Sequence, residues 1–394
     1  MQATRVAAGV NRLTGPELSC FVPEARGWPA DIGVIAVLDG DGLFDGDGRL
    51  RITDVRDAIA GRLHQAPRLR QVVYRPGPGL GRPLWVDAPR FDIADHVHVR
   101  RLPADNLRWY ASALAGTGSY LAHPAAAAAR LRRIWPAIRE PLAERRTRRT
   151  SLNQPIGRAR RIAVVRSRLD LVKDAAHGAG GTVNDAVLAA VAGGLRDLLQ
   201  SRGENVAGLV LRAMVPVSLH DPSLGPAQGN QYGVMVIPLP VGEPSTAQRL
   251  RSIAAQTAWR KKQPRRAWGT GLSGSPLVQR LAIQVADRQH FIHVHVANVP
   301  GPASPLYFAG ARLTEAFAVV PLSGNVTVGI GVVSYAGQLN ISVIADRDNC
   351  PDLPVFISGL DRSLSGLTGA ATTITPPAGG SPGRVGGGGG SSLP

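Results

Sequence analysis

The side chains best suited to moving a proton at neutral pH are the nine histidines, at positions 64, 96, 98, 123, 177, 220, 290, 293 and 295. An imidazole titrates near pH 6.5, so one held beside a hydroxyl can take its proton and later return it to a leaving group. His96 and His98 lie two apart, and so do His293 and His295. Residues two apart share one face of a strand, so each pair could supply two ligands of a zinc ion. No third acidic or histidine partner has diagnostic spacing, so the histidines are expected to line a cleft or a half-solvated sheet face without metal. Cys20 and Cys350 are the only cysteines, which argues against a disulfide scaffold or a cysteine zinc site and suits a reducing cytoplasm. The stretch GTGLSG at 269–274 matches the spacing of a dinucleotide loop, but it follows RKKQPRRAW and no strand, so it reads as an ordinary loop. Thr182 stands just before a strongly periodic apolar run and Asp185 follows three residues later. That spacing is capping-box-like, and it puts a carboxylate at the positive end of a helix dipole.

The elements that must position these groups come from periodicity. Residues 32–38 (IGVIAVL) predict a buried strand, and 52–63 a helix with Thr53 as its cap. Residues 69–74 and 84–99 read as strands. A long Ala- and Arg-rich stretch, 107–146, is helical in pattern and broken at Pro124, Pro136 and Pro141. Past SLNQPIG (151–157) the signals are cleaner. IAVVRSRLD predicts a strand, 182–199 a helix, and LVLRAMVPVSL and YGVMVIPL strands. TAQRLRSIAAQTAW predicts a helix, FIHVHVANV, NVTVGIGVVSY and LNISVIAD strands, and PVFISGLDRSLSGL a closing helix. Strands alternating with helices imply an α/β or α+β protein of two parts joined near residue 150. Residues 367–394 are rich in Gly, Pro, Ser and Thr and are expected to be disordered.

The net charge is +17, and lysine occurs only at 173, 261 and 262, so nearly all of the 45 cationic side chains are arginine. Such a field attracts anionic lipid surfaces and the phosphates of a group such as coenzyme A. Without aromatic interleaving or a known motif it does not imply nucleic acid. No apolar run is long enough for a transmembrane helix, and the N-terminus lacks the continuous apolar core of a secretory signal, so a cytoplasmic chain is expected.

TVNDAVLAAVAGGLRDLL, LRAMVPVSL, GNQYGVMVIPLP, ANVPGP and AFAVVPLSGNVTVGIGVVSYAGQLNISVIADRDNCPDL occur in this order. Together they resemble the bacterial wax ester synthase/diacylglycerol acyltransferase family. SLNQPIG is similar to that family's inter-domain region. NRLTGPELSCFVPEARGWPADIGVIAVLDG and GRPLWVDAPRFDIADHVHVRRLP resemble its N-terminal opening. The resemblance runs from about residue 10 to 365. It implies the fold of the coenzyme A-dependent acyltransferases, two similar halves with a tunnel between them. It also implies transfer of an acyl group from acyl-CoA, as co-substrate, to the hydroxyl of a diacylglycerol or long-chain alcohol, with no bound cofactor. Its Asn-Asp pair corresponds to Asn184 and Asp185, and its Asn-Val-Pro-Gly-Pro turn to Asn298, Pro300, Gly301 and their neighbours. Substrates of this class imply peripheral contact with an anionic membrane or lipid-droplet surface. The Arg-rich stretch 107–149, with Trp109, Tyr110, Tyr120 and Trp135, is the expected contact.

The family's catalytic histidine lies in an HHxxxDG motif, and that motif is absent. No two histidines are adjacent, and none has an aspartate four residues on. The stretch ADNLRWYASALAGTGSYLAHPAAAAARLRRIW, directly after HVHVRRLP, already resembles the Arg-rich helical region that the family reaches later. The expectation is an internal gap on the order of a hundred residues, about one small domain, near Pro103 to Asp105. The parts are then a partial N-terminal half (1–103), a helical inter-domain segment (104–150), a C-terminal half (151–366) and the tail (367–394). Strands beside the gap would gain unpaired edges and lose apolar cover. His293 and His295 are the candidates for a substitute base.

Overall fold

The computed structural model describes residues 11–13, 17, 32–40, 42–77, 80–100, 148–218, 232–261, 288–369 and 373–375. The inter-domain stretch 101–147, with its aromatic residues, and the loop at 269–274 lie outside them, as do His123 and His220.

The dominant element is a mixed seven-stranded sheet. In chain order its strands are β5 (Arg160–Arg168), β6 (Leu211–Ser218), β7 (Tyr232–Leu239), β8 (Val294–Pro300), β11 (Val328–Tyr335), β12 (Gln338–Asp346) and β13 (Thr373–Thr375). Their spatial order is β13-β5-β12-β11-β8-β6-β7. β8 runs parallel to both β6 and β11, while the other pairs are antiparallel. One face is covered by α2 (Leu169–Gly178), α3 (Val183–Ser201), α4 (Thr246–Lys261) and α5 (Leu353–Thr368). α3 is buried along most of its length, because helices flank it and the sheet lies beneath. That position explains its nearly all-round apolar sequence.

The second face of the sheet carries β10 (Ala311–Val319). Gly329 and Gly331 of β11 make room for it. A β-carbon on Gly331 would lie 2.4 Å from the Ala318 carbonyl oxygen, and one on Gly329 would lie 2.9 Å from Val320 and Leu322. β10 in turn pairs antiparallel with β2 (Gly33–Leu38) on one side and β9 (Tyr307–Phe308) on the other. β2, near the start of the chain, is thus stitched to the last third through β10. A further small sheet, β1 (Asn11–Arg12), β4 (Leu84–Asp87) and β3 (Gln71–Tyr74), belongs to the N-terminal part with helix α1 (Ile52–Ala60).

SLNQPIG is clamped and does not act as a loose hinge. Arg202, just past α3, donates to Ser151 Oγ at 2.8 Å and makes a two-pronged ion pair with Asp352 at 2.6 and 2.7 Å. Asn153 donates to the Ile292 carbonyl at 2.8 Å, and Thr327 to that of Leu152 at 2.7 Å. Gly157 N–H donates to the buried carboxylate of Asp346 at 2.7 Å, which also pairs with Arg160.

Four expectations change. IGVIAVL forms a strand, but an exposed one: Val34 is 67% exposed and Val37 40%. Thr53 does not cap α1: the helix begins at Ile52 with Arg51 before it. Only Leu84–Asp87 of 84–99 is strand; residues 93–95 make a single tight turn begun by Asp92, whose carboxylate accepts from Ala94 N–H at 2.8 Å. His96 and His98 therefore share no strand face. Finally, the closing helix reaches Thr368, and Thr373–Thr375 adds a strand to the edge of β5. Even a short Thr-Ile-Thr segment can pair where an edge strand offers unpaired backbone groups.

Candidate active site

Asp185 is 2% exposed. One carboxylate oxygen accepts from both the backbone N–H and the hydroxyl of Thr182, each at 2.8 Å. The other accepts from Thr257 Oγ1 of α4 at 2.7 Å. Asp185 thus closes the start of α3 and ties that start to α4. Three donors saturate it, which suits a positioning group. Asn184, beside it in the first turn, has a buried Oδ1 with no hydrogen-bond partner.

The Asn-Val-Pro-Gly-Pro turn ends β8. Asn298 stands opposite Val332 and Pro300 opposite Ser334 of β11. Gly301 N–H donates to the Ser334 carbonyl at 2.9 Å, and a β-carbon at 301 would lie 2.4 Å from that oxygen. Only glycine lets the turn sit this close to β11. Ala336 N–H then donates to Pro302 at 3.1 Å, so the turn is bound down on both sides.

His293 precedes the other end of β8 and is fully buried. Its Nδ1 accepts from Arg212 N–H at 3.1 Å, so the ring hydrogen of the neutral form is on Nε2. Nε2 has no hydrogen-bond partner. Burial, aided by the nearby Arg212 charge, pulls its pKa down to about 4. His295, partly buried, is also pulled down to about 4 by desolvation, against an opposing hydrogen bond to the Pro321 backbone. Both rings are neutral at pH 7 and are weak bases.

Distance separates these groups as well. Strand residues rise about 3.3 Å each, so Gly301 lies roughly 26 Å from His293 and 20 Å from His295 along β8. The end of α3 is tied to the His293 segment through Arg202, Ser151 and the nearby Asn153, and at 1.5 Å per residue Asn184 and Asp185 lie about 25 Å from that end. The structure brings Asp185 together with Thr182 and Thr257, and Gly301 together with Ser334. It brings neither histidine to those positions. Among the described residues no three His, Cys, Asp or Glu side chains are grouped to hold a metal ion.

A buried amide cluster escaped the sequence reading. Gln289 Nε2 donates to Asn325 Oδ1 at 2.7 Å, Asn325 Nδ2 to the Gln289 carbonyl at 2.6 Å, and Asn153 Nδ2 to the Ile292 carbonyl at 2.8 Å. The cluster seats the segment that carries His293. Its members are separated by more than a hundred residues in part, and no local spacing signals it.

The sequence model of the wax ester synthase/diacylglycerol acyltransferase catalytic domain matches residues 18–108 and 105–187, in two pieces that meet at 105–108. The model of the WS/DGAT C-terminal domain matches residues 228–368. A protein of Mycobacterium tuberculosis named as a diacylglycerol O-acyltransferase is 33% identical over 228 residues, 55% of this chain and 45% of that protein. A second from the same organism, the diacylglycerol O-acyltransferase tgs2, is 32% identical over 230 residues, 55% of this chain and 49% of its own length. The matched region thus spans about half the length of these relatives. Among solved structures, the wax ester synthase/diacylglycerol acyltransferase of Marinobacter aquaeolei VT8 aligns with a TM-score of 0.61 at 21% identity, over 91% of this chain and 98% of that one. The trichothecene 15-O-acetyltransferase TRI3 of Fusarium sporotrichioides aligns with a TM-score of 0.55 at 10% identity, over 91% and 96%. These two likenesses establish the two-part acyltransferase fold. With both domain models matched in order along one chain, this protein belongs to the wax ester synthase/diacylglycerol acyltransferase family.

Proposed function

We propose that the chain is an acyl-CoA-dependent O-acyltransferase by descent, acting on a diacylglycerol or long-chain alcohol, whose transfer step lacks the family's histidine base. The in-order match of both family domains carries this reading. In the reaction the acceptor hydroxyl oxygen attacks the thioester carbonyl, the C–S bond breaks as the ester C–O bond forms, and the hydroxyl proton ends on the thiolate. A base near pKa 7 makes that step fast. With HHxxxDG absent and both candidate substitutes lowered to about pKa 4, proton removal falls to solvent. The missing base alone is worth about 10²–10⁴-fold in rate.

The shortened catalytic half belongs to the same proposal, and the meeting of the two catalytic-domain matches at residues 105–108 supports it. Incubating the purified chain with labelled acyl-CoA and diacylglycerol or hexadecanol tests it. Ester formation at least a hundredfold slower than by a relative with HHxxxDG is expected, and comparable rates would refute the missing-base reading. A second reading, acyl-CoA and lipid binding without turnover, is favoured by the neutral, distant histidines. Saturable acyl-CoA binding with no ester formed would select it.

Peripheral binding to an anionic membrane or lipid-droplet surface accompanies both readings. It is supported by the +17 charge, and among the described residues no helix is long and apolar enough to cross a membrane. Flotation with phosphatidylglycerol vesicles, weakening as salt rises, is the expected result. Flotation that ignores anionic lipid content would count against it.

A further inference from the structure

α4 (Thr246–Lys261) carries no acidic residue. Leu250 and Ile253 set its inner side into the core, and Thr257 binds it to Asp185 of α3. Arg249, also on the inner side, is taken up by five oxygen acceptors, among them the Ala189 carbonyl and the Ser363 hydroxyl. The outward side exposes Arg251, Ala255, Ala258, Trp259 and Lys261. Residues 251, 255 and 259 follow at four-residue spacing and form one row along the helix. Trp259 is 58% exposed, and the Arg260 guanidinium lies 5.8 Å from the centre of its ring.

Two features separate this face from an ordinary solvated helix. Solvated helices set acids three or four residues from their bases, and α4 has none to set. The helix dipole accounts for cations in the last turn, but not for an exposed indole among them. An indole has an apolar ring and one N–H donor, which suits the layer between lipid headgroups and acyl chains. The chain does not supply the missing anion. Residues 262–287, which follow α4 directly, hold four cations and one acid, and residues 101–147 hold eight cations and three acids. Neither long segment complements the face in charge.

We propose that the outward face of α4, centred on Trp259, Arg260 and Lys261, is the surface by which the chain sits on an anionic phospholipid bilayer. The indole enters the headgroup layer, and Arg251, Arg260 and Lys261 meet the lipid phosphates. The face lies at the end of the molecule that carries the Asn-Asp pair. Thr257, two residues before Trp259, bonds the Asp185 carboxylate at 2.7 Å. A lipid acceptor held in the bilayer is thereby brought to the start of α3. The proposal rests on the peripheral binding proposed for the whole chain and adds the place where it occurs.

Binding of the full chain to phosphatidylglycerol and to phosphatidylcholine vesicles tests this. Arg260→Gln with Lys261→Gln should weaken binding to phosphatidylglycerol at least tenfold. Arg158→Gln with Arg347→Gln removes the same charge beyond the far end of α3, where Arg202 holds the Asn349 carbonyl. That end is about 25 Å from Asp185, well past the screening length of about 8 Å, so binding should change less than twofold. A polarity-sensitive dye on Trp259→Cys, in a Cys20→Ser background, should shift to the blue on phosphatidylglycerol and not on phosphatidylcholine. Cys350 is buried and escapes the label, and a dye on Arg347→Cys should not shift. If the unaltered chain ignores phosphatidylglycerol, the peripheral reading and this face both fail. If it binds, but the α4 pair binds equally well or the control pair loses as much, the peripheral reading stands and this face is overturned. A dye at 259 that responds to a single-stranded oligonucleotide and not to vesicles would also overturn it.

Discussion

A buried carboxylate with three donors is costly to remove. Asp185→Ala leaves the Thr182 N–H and the Thr182 and Thr257 hydroxyls without their acceptor. It should cost about 2–4 kcal/mol in urea denaturation, with Asp185→Asn milder. A loss below 1 kcal/mol would contradict the tie between α3 and α4. His293 makes a pH-dependent prediction of definite sign. Its folded pKa, about 4, lies below the ordinary 6.5, so the unfolded chain binds the proton more readily between these values. Stability should be unaffected by this group above pH 6.5 and fall as pH drops from 6.5 to 4, by about 3 kcal/mol. His295 acts in the same window. Asp352, held below the usual carboxylate range by Arg202, loses its contribution only at lower pH. His293→Asn keeps an acceptor for Arg212 N–H and should flatten the slope between pH 6.5 and 4 in thermal melts at stepped pH. An unchanged slope would assign the acid sensitivity elsewhere.

At the level of elements, the contact between β10 and the main sheet decides whether the N-terminal strand stays attached. Ala316 and Ala318 pack against Val333 and Tyr335, and the Ser342 hydroxyl bonds the Ala318 carbonyl. Gly331→Val pushes side-chain atoms into that carbonyl and should cost about 3 kcal/mol. The diagnostic signature is selective: hydrogen exchange should accelerate at β10 and β2 while α3 and α5 stay protected. Uniform acceleration would mean that β10 does not dock as a unit. The sequence reading predicts β11 as a strand but not β10, and the small residues facing each other across the layers have no periodic signal of their own.

Over the whole molecule, burial is uneven. Among described residues up to 100, the buried apolar side chains are Leu13 and Leu63, and α1 buries none. The C-terminal part holds one continuous core beneath four helices. Hydrogen exchange should therefore show N-terminal amides opening at far lower free energy than those of α3, β11 and β12, and limited proteolysis should leave a resistant fragment that retains Leu152 and the rest of the C-terminal core. Equal protection in both parts would contradict this division. Local pattern sufficed for much of this protein. The 3.6-residue period marked α3, α4 and α5, apolar runs marked β5 to β8, β11 and β12, and the ordered motifs marked the family, because each is written in neighbouring residues. The absence of HHxxxDG is equally legible, since it concerns adjacent positions. Only the tertiary structure decided the rest. A run such as IGVIAVL looks the same whether its faces are covered or bare, and cover comes from residues remote in sequence. The amide cluster of Asn153, Gln289 and Asn325 likewise depends on where distant segments come to rest.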